Sequence, residues 1–122
     1  DCRDLALMVA REHGIVHRAL ELRPLTIVRL IERCDGLRRP ERFAAMLDAC
    51  ACDHRGRAGL GDRPYPQRGH LLAALAAVRG VDAGAIAKAC ERPELIAERV
   101  HAARVAAVAA RLVHTHSRSN TL

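Results

Sequence analysis

Aromatic side chains are almost missing from this sequence: Phe43 and Tyr65 are the whole complement, and there is no Trp. Half of the 122 residues are hydrophobic, but Ala dominates them. Ala has the best helix propensity and offers a sheet little to pack, so the composition favours closely packed helices over a β core. Lysine is equally scarce. Lys88 stands alone among 20 Lys and Arg, an Arg usage in keeping with a GC-rich coding bias.

Other absences narrow the class. No run is long and apolar enough to suggest a membrane span, and the opening "DCRDLALMVAREHG" lacks the charged-then-apolar order of a secretory leader. It also lacks an initiator Met, which reads as a piece of something longer. The five cysteines (Cys2, Cys34, Cys50, Cys52 and Cys90) are odd in number and without framework spacing. Reduced thiols in a cytoplasmic protein are the expectation. There is no G-x-S-x-G elbow, phosphate-binding loop or dinucleotide fingerprint. Asp35, Asp48, Asp53 and Asp62 are scattered rather than paired.

What is present has helical spacing. Leu5, Met8, Val9, Ile15, Val16, Ala19 and Leu20 mark a first helix to about Leu22, with Gly14 as an expected weak point. Pro24 opens a second helix on Leu25, Val28 and Ile31, with Gly36 as its stop. Pro40 opens a third on Phe43, Leu47 and Cys50. The stretch "CDHRGRAGLGDRPYPQ" holds three glycines and two prolines, so 55–67 is expected to be a loop. Leu71, Leu72, Leu75 and Val78 define the next helix, ending at Gly80, and Asp82 can cap a short one. Pro93 starts a terminal helix to about His114. Its stripes are Ile96, Val100, Ala103, Ala107 and Val105, Val108, Leu112. Two stripes imply contacts on two sides. Residues 115–122 are expected to be a disordered tail. The fold class is all-α: a bundle of five to six helices in a single domain over 1–114.

Candidate chemistry is thin. His13 and His17 stand four apart, a spacing that zinc-binding helices use, yet no third ligand or "HExxH" glutamate accompanies them. They read either as weak metal candidates or as surface histidines. Cys50 and Cys52 in "CACDH" lie two apart, so on a helix the thiols point to nearly opposite faces. The net charge of +6 favours an anionic partner such as RNA, DNA or nucleotide phosphates. Arg38, Arg39, Arg42, Arg55, Arg57, Arg63 and Arg68 gather around two connectors. They either neutralise a phosphate backbone or form a solvated face paired with Glu41, Asp48, Asp53 and Asp62.

The collinear pieces "RDLALMVAREHG", "PLTIVRLIE", "LRRPERF", "CDHRGRAG" with "YPQ" downstream, and "RVAAVA" together span nearly the whole chain. In that order they resemble the C-terminal region of bacterial multifunctional CCA proteins, tRNA nucleotidyltransferases that carry an HD domain. The resemblance implies an enzyme that adds or repairs the 3′-CCA end of tRNA from CTP and ATP with Mg²⁺. It further implies an HD phosphohydrolase, for which Ni²⁺ is a candidate metal, acting on phosphomonoesters and 2′,3′-cyclic phosphates. Residues 1–54 correspond to the later part of the HD region and 68–114 to tail helices. The nucleotide-binding head and the His-Asp dyad have no counterpart here, so no catalytic residue and no bound cofactor is expected in this chain. "REHG" places His13 and Gly14 where the HD pattern wants an acid, with Glu12 or His13 as substitutes. Support of tRNA binding and domain packing is the expected role. An active HD phosphohydrolase, or a helical scaffold or oligomerisation module that forms a homodimer, are the alternatives.

Overall fold

Four of the five prolines open a helical element, where a missing N–H costs nothing and a fixed φ helps. The computed structural model describes residues 2–58 and 64–120, with side chains for 2–56 and 64–112. Six α-helices follow one another: α1 Cys2–His17, α2 Pro24–Arg33, α3 Pro40–Ala58, α4 Pro66–Arg79, α5 Ala83–Ala89 and α6 Ile96–Asn120. Single 3₁₀ turns at Ala19–Glu21 and Pro93–Leu95 complete them, and no strand occurs among the described residues. The all-α expectation holds.

Packing is concentrated on two seams. α1 lies along α3, while α6 lies along α4 and α2, and α3 and α4 join the two halves. Phe43, Met46, Leu47 and Cys50 of α3 meet Ile27, Val28, Leu30 and Ile31 of α2 in one core, together with Leu71, Ala74, Leu75 and Val78 of α4. Val100 and Val108 are the buried residues of α6. The expected stripes therefore contribute one buried residue each.

Several boundaries differ from the sequence expectation, each for a physical reason. Gly14 does not interrupt α1; Met8, Glu12 and Val16 are buried on one stripe, and that packing outweighs the roughly 1 kcal/mol helix penalty of Gly. α2 stops one residue earlier than Gly36 suggests. Asp35 adopts the left-handed conformation, φ 56°. The Asp35 and Gly36 N–H groups donate back to the carbonyls of Glu32 and Ile31, 3.1 and 2.9 Å. This is a Schellman closure with Asp in place of the usual Gly. Gly36 is needed next to it, because a Cβ there would meet Ile31 Cγ2 at 3.1 Å.

α3 runs on to Ala58, so Arg55, Gly56 and Arg57 are helical rather than part of the expected 55–67 loop. α6 likewise continues to Asn120, through most of the expected disordered tail. Residues 59–63 and 121–122 lie outside the described residues. The stretch Pro66–Ala89 does have the length and apolarity of a membrane span, against the sequence expectation. It is broken between Arg79 and Ala83, where Asp82 caps α5 by accepting from the Ala85 N–H at 2.9 Å. Its buried residues, Leu71, Ala74, Leu75 and Val78, are committed to the core.

Candidate functional site

The continuous helix through Gly14 places His13 and His17 on one face of α1, their ring centres 5.9 Å apart. α3 brings His54 beside His17, at 5.2 Å. Tyr65, held between Pro64 and Pro66 at the head of α4, closes the group. Its ring sits 5.8 Å from His17 and 5.4 Å from His54. The Tyr65 hydroxyl lies 2.6 Å from His17 Nδ1. Burial pushes the phenol up to about 12, so it keeps its proton and can donate it to the imidazole nitrogen. The Gln67 amide donates to the His17 carbonyl at 2.9 Å, a second clasp between α4 and the end of α1.

These contacts describe a clamp more than a reaction centre. His13 Nδ1 lies 3.0 and 3.2 Å from the Ala10 and Val9 carbonyls. Only a protonated Nδ1 satisfies both oxygens, which fixes the tautomer. Among the described residues no group of three or more His, Cys, Asp or Glu is arranged to hold a metal. The acid beside His13 is also engaged elsewhere. Glu12, 2% exposed, receives two hydrogen bonds from Arg33, Nε at 2.8 Å and Nη2 at 2.9 Å, and one from Arg11 at 3.0 Å. The Arg33 guanidinium holds the Glu12 carboxyl below its ordinary range, against the opposing effect of burial. A divalent ion would have to displace two arginines to reach it, so this side chain does not fit the role of a metal ligand. Nothing in this chain's described donor set composes a Mg²⁺ or Ni²⁺ site.

The cysteines fit the same picture. All five are free thiols. Burial pushes Cys34 and Cys50 up to about 11, well away from the thiolate form that binds metals or attacks electrophiles. Cys52 is exposed, on a different face from buried Cys50, as two-residue helical spacing requires.

Of the seven arginines singled out in the sequence, the five with described side chains fall into two groups. Arg38 and Arg39 are exposed at the α2–α3 turn, and Arg38 lies 3.9 Å from Asp35. Arg42 follows on α3, half-buried, with Nε shielded and unpaired. Arg55 lies about 20 Å farther along the same axis and on a different face. Asp48 and Arg55, seven residues apart, share a face, and Asp48 binds Arg68 of α4 through Nε. Arg55 neighbours His54 and Arg68 neighbours Gln67 in sequence, so both stand close to clamp residues. The side chains of Arg57 and Arg63 lie outside those described.

The sequence reading passed over four residues of consequence. Arg33 was given no role, although a Glu in the Met8–Glu12–Val16 stripe demands a cationic partner. Glu32, on α2, takes Arg104 of α6 at 3.1 Å and His101 at 3.3 Å. This ties the two helices at their rim.

No protein-family model matches the chain, and no solved structure matches it. Curated proteins do. The multifunctional CCA protein of Aromatoleum aromaticum is 62% identical over 111 residues, 91% of this chain and 27% of that protein. That of Cupriavidus metallidurans is 60% identical over 113 residues, 92% and 27% respectively. That of Azoarcus sp. is 59% identical over 114 residues, 93% and 28%. The chain therefore spans little more than a quarter of the length of the relatives it matches. With such identities sustained over nine-tenths of its residues, the chain belongs to the multifunctional CCA protein family and corresponds to one helical part of its members.

Proposed function

We propose that this chain is the C-terminal helical part of a tRNA nucleotidyltransferase that adds or repairs the 3′-CCA end of tRNA from CTP and ATP. In the whole enzyme, Mg²⁺ accompanies the nucleotides at a head that this chain does not include, and the working place is the cytoplasm. The chain's own task is domain packing and tRNA support rather than catalysis. The observation that carries this reading is the match of 59–62% identity over more than nine-tenths of the chain to proteins all named multifunctional CCA protein. The chemistry of the candidate site agrees with it. Each polar side chain best placed to react is occupied in holding helices together: Glu12 by Arg33, His17 by Tyr65, Asp48 by Arg68.

A chimera tests the reading. The matching quarter of the Aromatoleum aromaticum protein is replaced by these 122 residues, and CCA addition to a tRNA lacking its last three nucleotides is followed with CTP and ATP. Retained addition is expected. A folded chimera without activity overturns the assignment. For the tRNA-facing surface, Arg55→Ala with Arg57→Ala in the same chimera is expected to weaken tRNA binding and flatten its salt dependence by about one to two phosphate contacts. Affinity unchanged at every salt concentration would reduce this end of α3 to a structural part.

A further inference from the structure

α1 exposes the charged residues Arg3, Asp4 and Arg11, but its flank toward α3 is largely apolar. Cys2, Leu5, Ala6, Val9, Ala10 and His13 recur at helical spacing, and with Ala49 and Asp53 of α3 they line an open groove of about 490 Å³. The groove follows α1 for twelve residues, about 16 Å or three turns. Ala6 and Ala10 on one wall and Ala49 on the other leave its floor shallow. Its most polar side chains, His13 and Asp53, stand at one end.

The shape selects the occupant. A small molecule is normally enclosed and met by several converging polar groups. Here the walls are two packed helices, the length is three turns, and small residues let a backbone approach closely. Those features match the ridge of a third helix, with side chains at i, i+4 and i+7 entering the groove. The source of such a helix is indicated by length. The relatives carry nearly three-quarters of their residues outside the part matched here, which leaves ample chain to cover an apolar face that water would otherwise meet.

We infer that the α1–α3 groove seats an amphipathic helix from the remaining part of a multifunctional CCA protein, one with an apolar ridge. The inference rests on the proposed function, since it takes the chain to work inside that larger protein. It adds which surface joins it to the rest.

Thiol protection tests it. In a background with Cys2, Cys52 and Cys90 changed to Ser, Ala10→Cys puts one reactive thiol on the groove wall. Ala102→Cys, on the exposed side of α6, serves as the reference. In the isolated chain both are expected to label rapidly. In the chimera Ala10→Cys is expected to slow by about tenfold or more while Ala102→Cys does not. Ala6→Cys repeats the measurement if the first variant fails to fold. Equal labelling of Ala10→Cys in chain and chimera overturns the inference, even if the chimera adds CCA normally. Protection already present in the isolated chain and growing with its concentration overturns it too, in favour of a second copy as the occupant. Loss of CCA addition with protection intact would count against the proposed function and leave the groove assignment standing.

Discussion

Removing Arg33 should be the most damaging single substitution outside the apolar core. Arg33 is the two-pronged partner of Glu12, whose side chain is 2% exposed. Arg33→Met keeps the aliphatic stem and deletes the charge, leaving Glu12 with the weak Cys34 thiol donor and one cation, Arg11, itself 57% exposed. Breaking a fully buried pair costs about 3–5 kcal/mol. The Arg33 side chain is 42% exposed and Arg11 remains, so about 2–3 kcal/mol is expected here. For a chain of this size that lowers Tm by roughly 6–15 °C.

The pH dependence gives an independent check. The folded-state pKa of Glu12 is depressed, so its contribution is fully present above the unfolded value of about 4.3 and is lost as pH falls through the lower folded value. The stability gap between wild type and Arg33→Met, read from urea unfolding by circular dichroism, should therefore be wide at pH 7 and close below about pH 4. The double variant Glu12→Leu with Arg33→Met should recover most of the loss, since an apolar replacement leaves no stranded charge. A gap under about 0.5 kcal/mol at pH 7, or a double variant as unstable as the single one, would refute the claim that the pair locks α1 to α2.

Three further outcomes are expected. Cys52 and Cys2 should react quickly with a thiol reagent, Cys90 more slowly because its thiol donates to the Arg92 carbonyl, and Cys34 and Cys50 only after unfolding; fast titration of all five would contradict the burial. Asp35→Ala should be less stable than Asp35→Gly by about 1 kcal/mol, because φ 56° penalises a Cβ and Gly removes that penalty; equal denaturation midpoints would show the Schellman turn to be unstrained. Asp82→Ala removes the cap on Ala85 N–H and should cost about 1 kcal/mol, with the loss of helical signal limited to the short α5; no change in thermal denaturation would mean α5 is held by α6 alone.

Prolines, glycines and apolar stripes made the helices legible because those signals act within one or two turns. Pro24 and Pro40 open the helices they were expected to open. The boundaries that were misplaced lie where local signals conflict. Gly14 and Gly56 suggested breaks, but both helices run through them, carried at Gly14 by the burial of Glu12 and Val16 on either side. The functional geometry was less legible because it depends on pairs far apart in the chain. Glu12 meets Arg33 across 21 residues, and His17 meets Tyr65 across 48. The sequence did place His13 beside His17 correctly. It could not indicate that the neighbouring acid had already been taken by an arginine from another helix. The family, by contrast, was legible from collinear short pieces, which require no knowledge of contacts.

Tyr65 gives this fold a built-in optical label. It is the chain's single tyrosine and there is no tryptophan, so ultraviolet emission comes from one ring, 7% exposed, at the meeting point of α1, α3 and α4. Fluorescence will follow the opening of that corner alone, while circular dichroism averages all six helices. If the corner opens before the bundle melts, the two signals will separate, and their difference measures how tightly the two halves of the domain are coupled.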